Sequence, residues 1–298
     1  MAPTSVTRVA FKNILLATDF SQASQLALMH ALAMAKRYDA KLTVVHVAAP
    51  ESQVPIPMEP VPVEMDWEAK HAAESMARLE QFEPLRMFPH ETVLKQGNPW
   101  LEMAGIIEDR QMDLIVLGTH GRGLLGTLLL GSVAEQVLRH ATCPVLTVGP
   151  DVLASLVDHQ QLKHVLFATD FSPASLSALP YALSLAEENH AELTLLHVLE
   201  QLQPMPLRYS QELLADYRKR LWALIPDDAG MWCKPQVTVC IGPAANEIVR
   251  VAHDHQAEVI VMGAHRGGPV ASHIPWTIHH SVVRHARCPV LTVRAMAA

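Results

Sequence analysis

The pentapeptide ATDFS occupies Ala17 to Ser21 and returns at Ala168 to Ser172, and LTVVHV ending at Val47 returns as LTLLHV ending at Val198, both displaced by 151 residues. Further along, VLGTHGRG from Val116 becomes VMGAHRGG from Val261, and RHATCPVLTV from Arg139 becomes RHARCPVLTV from Arg284, displaced by 145. The second copy is therefore six residues shorter somewhere between His197 and Gly242, where the two are least alike. A period of about 150 residues is far too long for a solenoid. A tandem pair of whole domains is expected, residues 1–152 and 153–298, joined near residues 149 to 162.

Within the first copy the apolar pattern changes type repeatedly. NILLAT, KLTVVHV, TVLKQ, DLIVLGT and PVLTVG are short and rich in Val, Ile, Leu and Thr, as buried strands are. Between them, Gln22 to Arg37, Glu64 to Glu83, Pro99 to Arg110 and Ser132 to His140 have helical composition and spacing. Strands that are apolar nearly throughout belong to a parallel sheet covered on both faces, because right-handed βαβ crossovers lay helices on each side. Each copy is expected to be a doubly wound α/β domain with a five-stranded parallel sheet. Such sheets bind ligands beyond the carboxyl ends of their strands, where strand order reverses. The ends of the first, second and fourth strands are the places to inspect.

Composition narrows the function. Hydrophobic residues make up 50% of the chain and charged residues 18%, which excludes a largely disordered protein. The net charge of −7, from 23 Lys+Arg against 30 Asp+Glu, removes the field that gathers nucleic acid or anionic lipid, so neither partner is expected. No apolar run approaches 18 residues and the opening MAPTSVTRVAFKN has no apolar leader core, so neither membrane spanning nor export is expected. Cys143, Cys233, Cys240 and Cys288 show no CxxC spacing and fit reduced thiols in the cytoplasm.

The fourth strand of the first copy runs into Gly118-Thr-His-Gly121-Arg-Gly123-Leu-Leu-Gly126-Thr-Leu-Leu-Leu-Gly131-Ser132, ahead of a helix. Glycine admits positive φ and close approach of peptide N–H groups, and a helix start adds unpaired donors and a positive dipole end. That combination cradles phosphate; a flexible loop with glycines at its turns is the other reading. Gly121, Gly123 and Gly126 spell GxGxxG, but a dinucleotide fingerprint needs the first strand-to-helix turn, and GxxxxGK[ST] is absent.

The arrangement Gly118-x2-Gly121-x9-Gly131-Ser132 after a strand, with ATDFS ending the first strand and HV the second, resembles the ATP-binding branch of the universal stress proteins. The resemblance runs over nearly the whole chain, twice. It implies an adenine nucleotide alpha hydrolase-like fold and a site for ATP and Mg²⁺ in the first domain. It implies Asp19 near the ribose or a metal-bound phosphate, Val47 offering backbone hydrogen bonds to adenine, and Ala17 lining the adenine pocket where some members carry proline. Gly118, Gly121, Gly131, Ser132 and Val133 fall around ribose and phosphates, with Gly123 in the same loop.

The residue chemistry leaves rival roles open. Asp19 can accept from sugar hydroxyls or hold Mg²⁺ through oxygen, or it can cap the helix beginning near Ser21. Ser132-x-x-Glu135 also reads as a capping box. Arg122, between two glycines, can neutralise phosphate charge or stand as an exposed loop residue. In the second copy Gly263 matches Gly118, but Arg266 replaces Gly121, Trp276 replaces Gly131 and Thr277 replaces Ser132, so ATP binding in the family manner is expected in the first domain alone. His253, His255, His279 and His280 match no standard zinc spacing. His120 and His265 share one repeat position in the loop. Pro50, Pro55, Pro57, Pro60 and Pro62 predict an extended excursion after the second strand.

The final strands, Pro144 to Val148 and Pro289 to Val293, would leave apolar sheet edges that invite pairing. In single-domain members of the resembled family this strand contributes to a twofold dimer. A tandem chain can make the contact within itself as a pseudo-twofold monomer, which leaves a homodimer of whole chains open. The resemblance implies a stress-response or signalling protein whose nucleotide biases a conformation or partner surface. No general base, nucleophile constellation or phosphate-grasping lysine stands near the loop, which makes catalysis secondary. A slow ATPase or nucleotidyl-transfer enzyme, and a nucleotide-free adaptor, are the alternatives.

Overall fold

The structure, a computed structural model, describes residues 9–48, 67–119, 130–152, 161–200, 207–264 and 274–294. The first repeat supplies β1 (Asn13–Ala17), α1 (Gln22–Tyr38), β2 (Lys41–Ala48), α2 (Trp67–Glu80), α3 (Glu83–Arg86), β3 (His90–Gln96), α4 (Pro99–Asp109), β4 (Leu114–Gly118), α5 (Ser132–His140) and β5 (Val145–Val148). The second supplies β6 (His164–Ala168), α6 (Pro173–Leu176), α7 (Leu179–Asn189), β7 (Glu192–Leu199), α8 (Leu207–Trp222), β8 (Pro235–Ile241), α9 (Ala244–Asp254), β9 (Val259–Ala264), α10 (Ile274–His285) and β10 (Val290–Arg294). The proline-rich segment and much of the expected domain join lie outside the described residues. Where α1 is continuous, the second copy breaks into α6 and α7. Pro180, in the first turn of α7, has no N–H with which to continue the ladder.

The strands form one ten-stranded sheet in the order β3-β2-β1-β4-β5-β10-β9-β6-β7-β8. Among the described residues, pairing is parallel within each half and antiparallel only where β5 meets β10. At that seam Val290 faces Thr147, Leu291 faces Leu146 and Thr292 faces Val145. Leu146 and Leu291 are repeat equivalents, so the pseudo-twofold axis passes between them. The expected edge strands have thus covered one another.

Both faces of the sheet are sealed across the seam. One core joins Phe11, Leu16, Leu28 and Val148 to Phe167, Ala182 and Val293; the other joins Leu15, Ile115 and Val137 to Leu166, Val282 and Val290. Across the first face, the Val9 N–H donates to Ser184 Oγ at 2.9 Å and the Phe11 and Tyr181 rings stack 6.2 Å apart. No helix among the described residues is long and apolar enough to cross a membrane.

Candidate functional site at the carboxyl ends of the strands

After β1 the chain turns into α1 through Thr18-Asp19-Phe20-Ser21. The turn is held by local hydrogen bonds. The Phe20 N–H donates to Thr18 Oγ1 at 3.1 Å, the Ser21 N–H to Asp19 Oδ1 at 3.0 Å, and the Ser24 N–H to Ser21 Oγ at 3.2 Å. Phe20 takes φ +63°, a left-handed conformation unusual for an aromatic residue. The helix cap is therefore Ser21; Asp19 stands before it and secures the turn. Burial works against the Asp19 charge, but hydrogen bonds from Ser21 and Ser24 outweigh it and hold the carboxyl below its usual range. The second copy repeats the turn: Phe171 has φ +62°, the Ser172 N–H donates to Asp170 at 2.9 Å and the Phe171 N–H to Thr169 Oγ1 at 2.9 Å.

The peptide planes of β2 fix the direction of Val47. The Thr18 N–H donates to the Val45 carbonyl at 2.9 Å, whereas the Gly97 N–H donates to the Ala48 carbonyl at 3.0 Å. Peptides alternate in direction along a strand. Val47, in phase with Val45, turns its N–H and C=O toward the β1 side, where β1 has already ended at Ala17. Ala17, Val47 and Val133 all pack, half-buried, against the same core cluster. The structure thus gathers these three predicted residues on one side of the sheet.

Gly118 is required for a different reason from ligand approach. A Cβ there would lie 2.7 Å from the Ala23 carbonyl carbon and 2.8 Å from the Ser24 nitrogen, so the missing side chain lets α1 rest on β4. A Cβ on Gly263 would overlap the Ala174 carbonyl oxygen even more severely, so α6 rests on β9 in the same way. This explains why both copies keep glycine at this position although the rest of the loop differs.

The start of α5 departs from the sequence expectation. Its N-cap is Gly131, with φ −59° and no side-chain cap, so the Ser132 capping box is not formed. Ser132 is the first helical residue and is exposed. Glu135 pairs instead with Arg139 at 2.8 Å. The Gly131 N–H donates to the Thr119 carbonyl at 2.8 Å, which ties the far end of the glycine loop to the end of β4. His120, Gly121, Arg122, Gly123 and Gly126 lie outside the described residues, as do His265 and Arg266 of the second copy. There α10 begins at Ile274, so Trp276 and Thr277 fall inside the helix. Pro275, which suits a first helical turn, starts it earlier than α5.

Two positions that the sequence reading passed over complete the rim. His46 Nδ1 lies 2.8 Å from the Thr18 carbonyl and donates to it, with its ring 4.6 Å from Phe20. His197 repeats this toward Thr169 at 2.8 Å, stacked at 4.4 Å on Tyr217, and burial pushes its pKa down. The repeated HV dipeptide was the available signal, but nothing in it distinguishes a strand histidine from one bracing a turn. Among the described residues, no group of three or more His, Cys, Asp and Glu side chains is placed to hold a metal ion.

Two doubly wound units sharing one sheet, each with the same Thr-Asp-Phe-Ser turn at its carboxyl rim, define a duplicated α/β protein. A family model described as the universal stress protein family matches residues 10–149 and again 161–294, and the chain belongs to that family. A universal stress protein of Mycobacterium tuberculosis is 26% identical over 298 residues, covering 94% of this chain and 96% of its own. The crystal structure of a universal stress protein from Archaeoglobus fulgidus shares the fold with a TM-score of 0.65 and 21% identity, over 95% of this chain and 98% of its own. A universal stress protein solved in complex with cAMP covers 47% of this chain and 98% of its own, at 25% identity and a TM-score of 0.36.

Proposed function

We propose that the first domain, residues 1–152, binds an adenine nucleotide, ATP with Mg²⁺, and that occupancy biases a conformation or a partner surface. The observation that carries this reading is the start of α5. Gly131 caps the helix without a side chain, leaving the first-turn N–H groups of Ser132, Val133 and Ala134 free of a side-chain cap. A helix start of that kind favours phosphate oxygen. The Val47 peptide, aimed past the end of β1 and flanked by Ala17 and Val133, suits the edge of a purine. Asp19, kept ionised, is a hard oxygen donor that fits Mg²⁺. The cation would supply charge neutralisation on the phosphates, and Gly121, Arg122 and Gly123 of the loop are assigned to the same ligand. In the second domain, residues 153–298, the earlier start of α10 favours loss of the phosphate cradle. A reducing cytoplasm is the setting that four unpaired cysteines favour.

The test is thermal and calorimetric. MgATP at 100 times its Kd should stabilise the protein by about 2.7 kcal/mol. Gly131→Trp, copying the second domain, should abolish that gain while leaving the unliganded melting temperature nearly unchanged. The same stabilisation in Gly131→Trp, or none in the wild type with any adenine nucleotide, would overturn the reading.

A further inference from the structure

The two domains differ at a second place, where the helix after the third strand meets the helix after the fourth. In the first, Trp100 in the first turn of α4 reaches His140 in the last turn of α5, with ring centroids 5.6 Å apart and planes at 35°. Such spacing is that of a favourable aromatic pair. Their repeat equivalents are Ala245 on α9 and His285 on α10. The histidine is kept and the indole is gone. Both residues line a cleft of about 1370 Å³, with Val249 and Ala252 along its apolar wall. His285 is held from behind, its Nδ1 donating to the Ser281 carbonyl at 2.8 Å.

The charge of the cleft adds a second observation. Its carboxylates are Asp151, Glu192, Asp254 and Glu258. Glu258 accepts the Lys163 N–H, Asp254 pairs with Arg250 at 2.7 Å, and Glu192 stands 3.8 Å from Lys234. Arg287 also lines the cleft, and among the described residues no carboxylate pairs with its guanidinium. An unpaired guanidinium is a planar fork for a carboxylate.

We propose that the cleft between α9 and α10 is a binding site for a small planar aromatic carboxylate, its ring stacked on His285 where the first domain places its own Trp100, and its acid group on Arg287. The nucleotide reading does not enter this argument, since the cleft includes no residue assigned to ATP or Mg²⁺. Replacing tryptophan by alanine removes the ring that meets this histidine in the first domain and keeps the histidine in the cleft lining, and ligand sites are typically apolar hollows with few polar anchors.

The test uses the full chain, with indole-3-acetate as probe and indole as its uncharged control, in calorimetry and saturation-transfer NMR. The wild type should bind indole-3-acetate at submillimolar concentration. Ala245→Trp, which restores the residue the first domain carries, should weaken it at least tenfold, and so should His285→Ala, which keeps the cleft open but removes the stacking ring. Arg287→Ala should weaken indole-3-acetate at least threefold and leave indole unchanged. Stabilisation by MgATP should be the same in all three variants. Binding unchanged in both Ala245→Trp and His285→Ala, equal loss of both probes in Arg287→Ala, or no binding by the wild type at millimolar probe would overturn the proposal.

Discussion

His30 sits on α1 with its Nε2 shut off from solvent and, among the described residues, without a hydrogen-bond partner. Burial pushes its pKa down to about 4. An unfolded histidine titrates near 6.5, so below that pH the unfolded chain takes up a proton that the folded chain refuses. The neutral-state contribution is complete above about pH 6.5 and is lost as pH falls toward 4. Burial lowers His164 and His197 in the same direction. The unfolding free energy from urea titration should fall between pH 7 and pH 4.5, by at most about 1.4 kcal/mol per pH unit for His30. His30→Leu should flatten that slope; an unchanged slope would show that His30 does not refuse the proton. At this scale the sequence was a partial guide. Asp19, Val47 and Gly118 could be found from the repeat, whereas the reason for Gly118 could not, because it resides in the Ala23–Ser24 backbone of another element. Thr18 and His46 went unnoticed for the same reason: their partnership spans two strands.

At the helix after the fourth strand the two repeats diverge, α5 opening at Ser132 and α10 at Ile274. Ser and Gly both serve as N-caps, so the sequence around α5 allowed either Gly131 or Ser132 to take that place. The bond from the Gly131 N–H to the Thr119 carbonyl, closed by folding, fixes the choice. At α1 no such tie competes, and Ser21 caps as its residue type suggests. Ser21→Ala should therefore cost about 1 kcal/mol in chemical unfolding, while Ser132→Ala should stay within about 0.5 kcal/mol. Equal costs would mean that Ser132 caps after all. The strands, with their continuous apolar runs, were legible nearly to the residue. The broken α6–α7 pair was not, since Pro180 suits a helix start as well as a break and only packing decides which.

For the molecule as a whole, the decisive feature is that neither core belongs to one repeat. Unfolding one domain would strip apolar surface from the other on both faces of the sheet. Calorimetry should show a single cooperative transition, and Leu146→Ala on the seam should lower it intact, by about 2–5 kcal/mol. Two separable transitions would contradict this. The recurrence of PVLTV in both copies made the seam foreseeable. The exchange of Trp100 for Ala245 could be aligned but not interpreted until His140 was seen against the indole. Because β5 and β10 run in opposite directions, each end of the sheet carries the carboxyl rim of one half beside the strand beginnings of the other, with the seam as their border. A chain nearly symmetric about its own axis is therefore directional to whatever touches it: a flat visitor resting on that border meets unlike chemistry on its left and right.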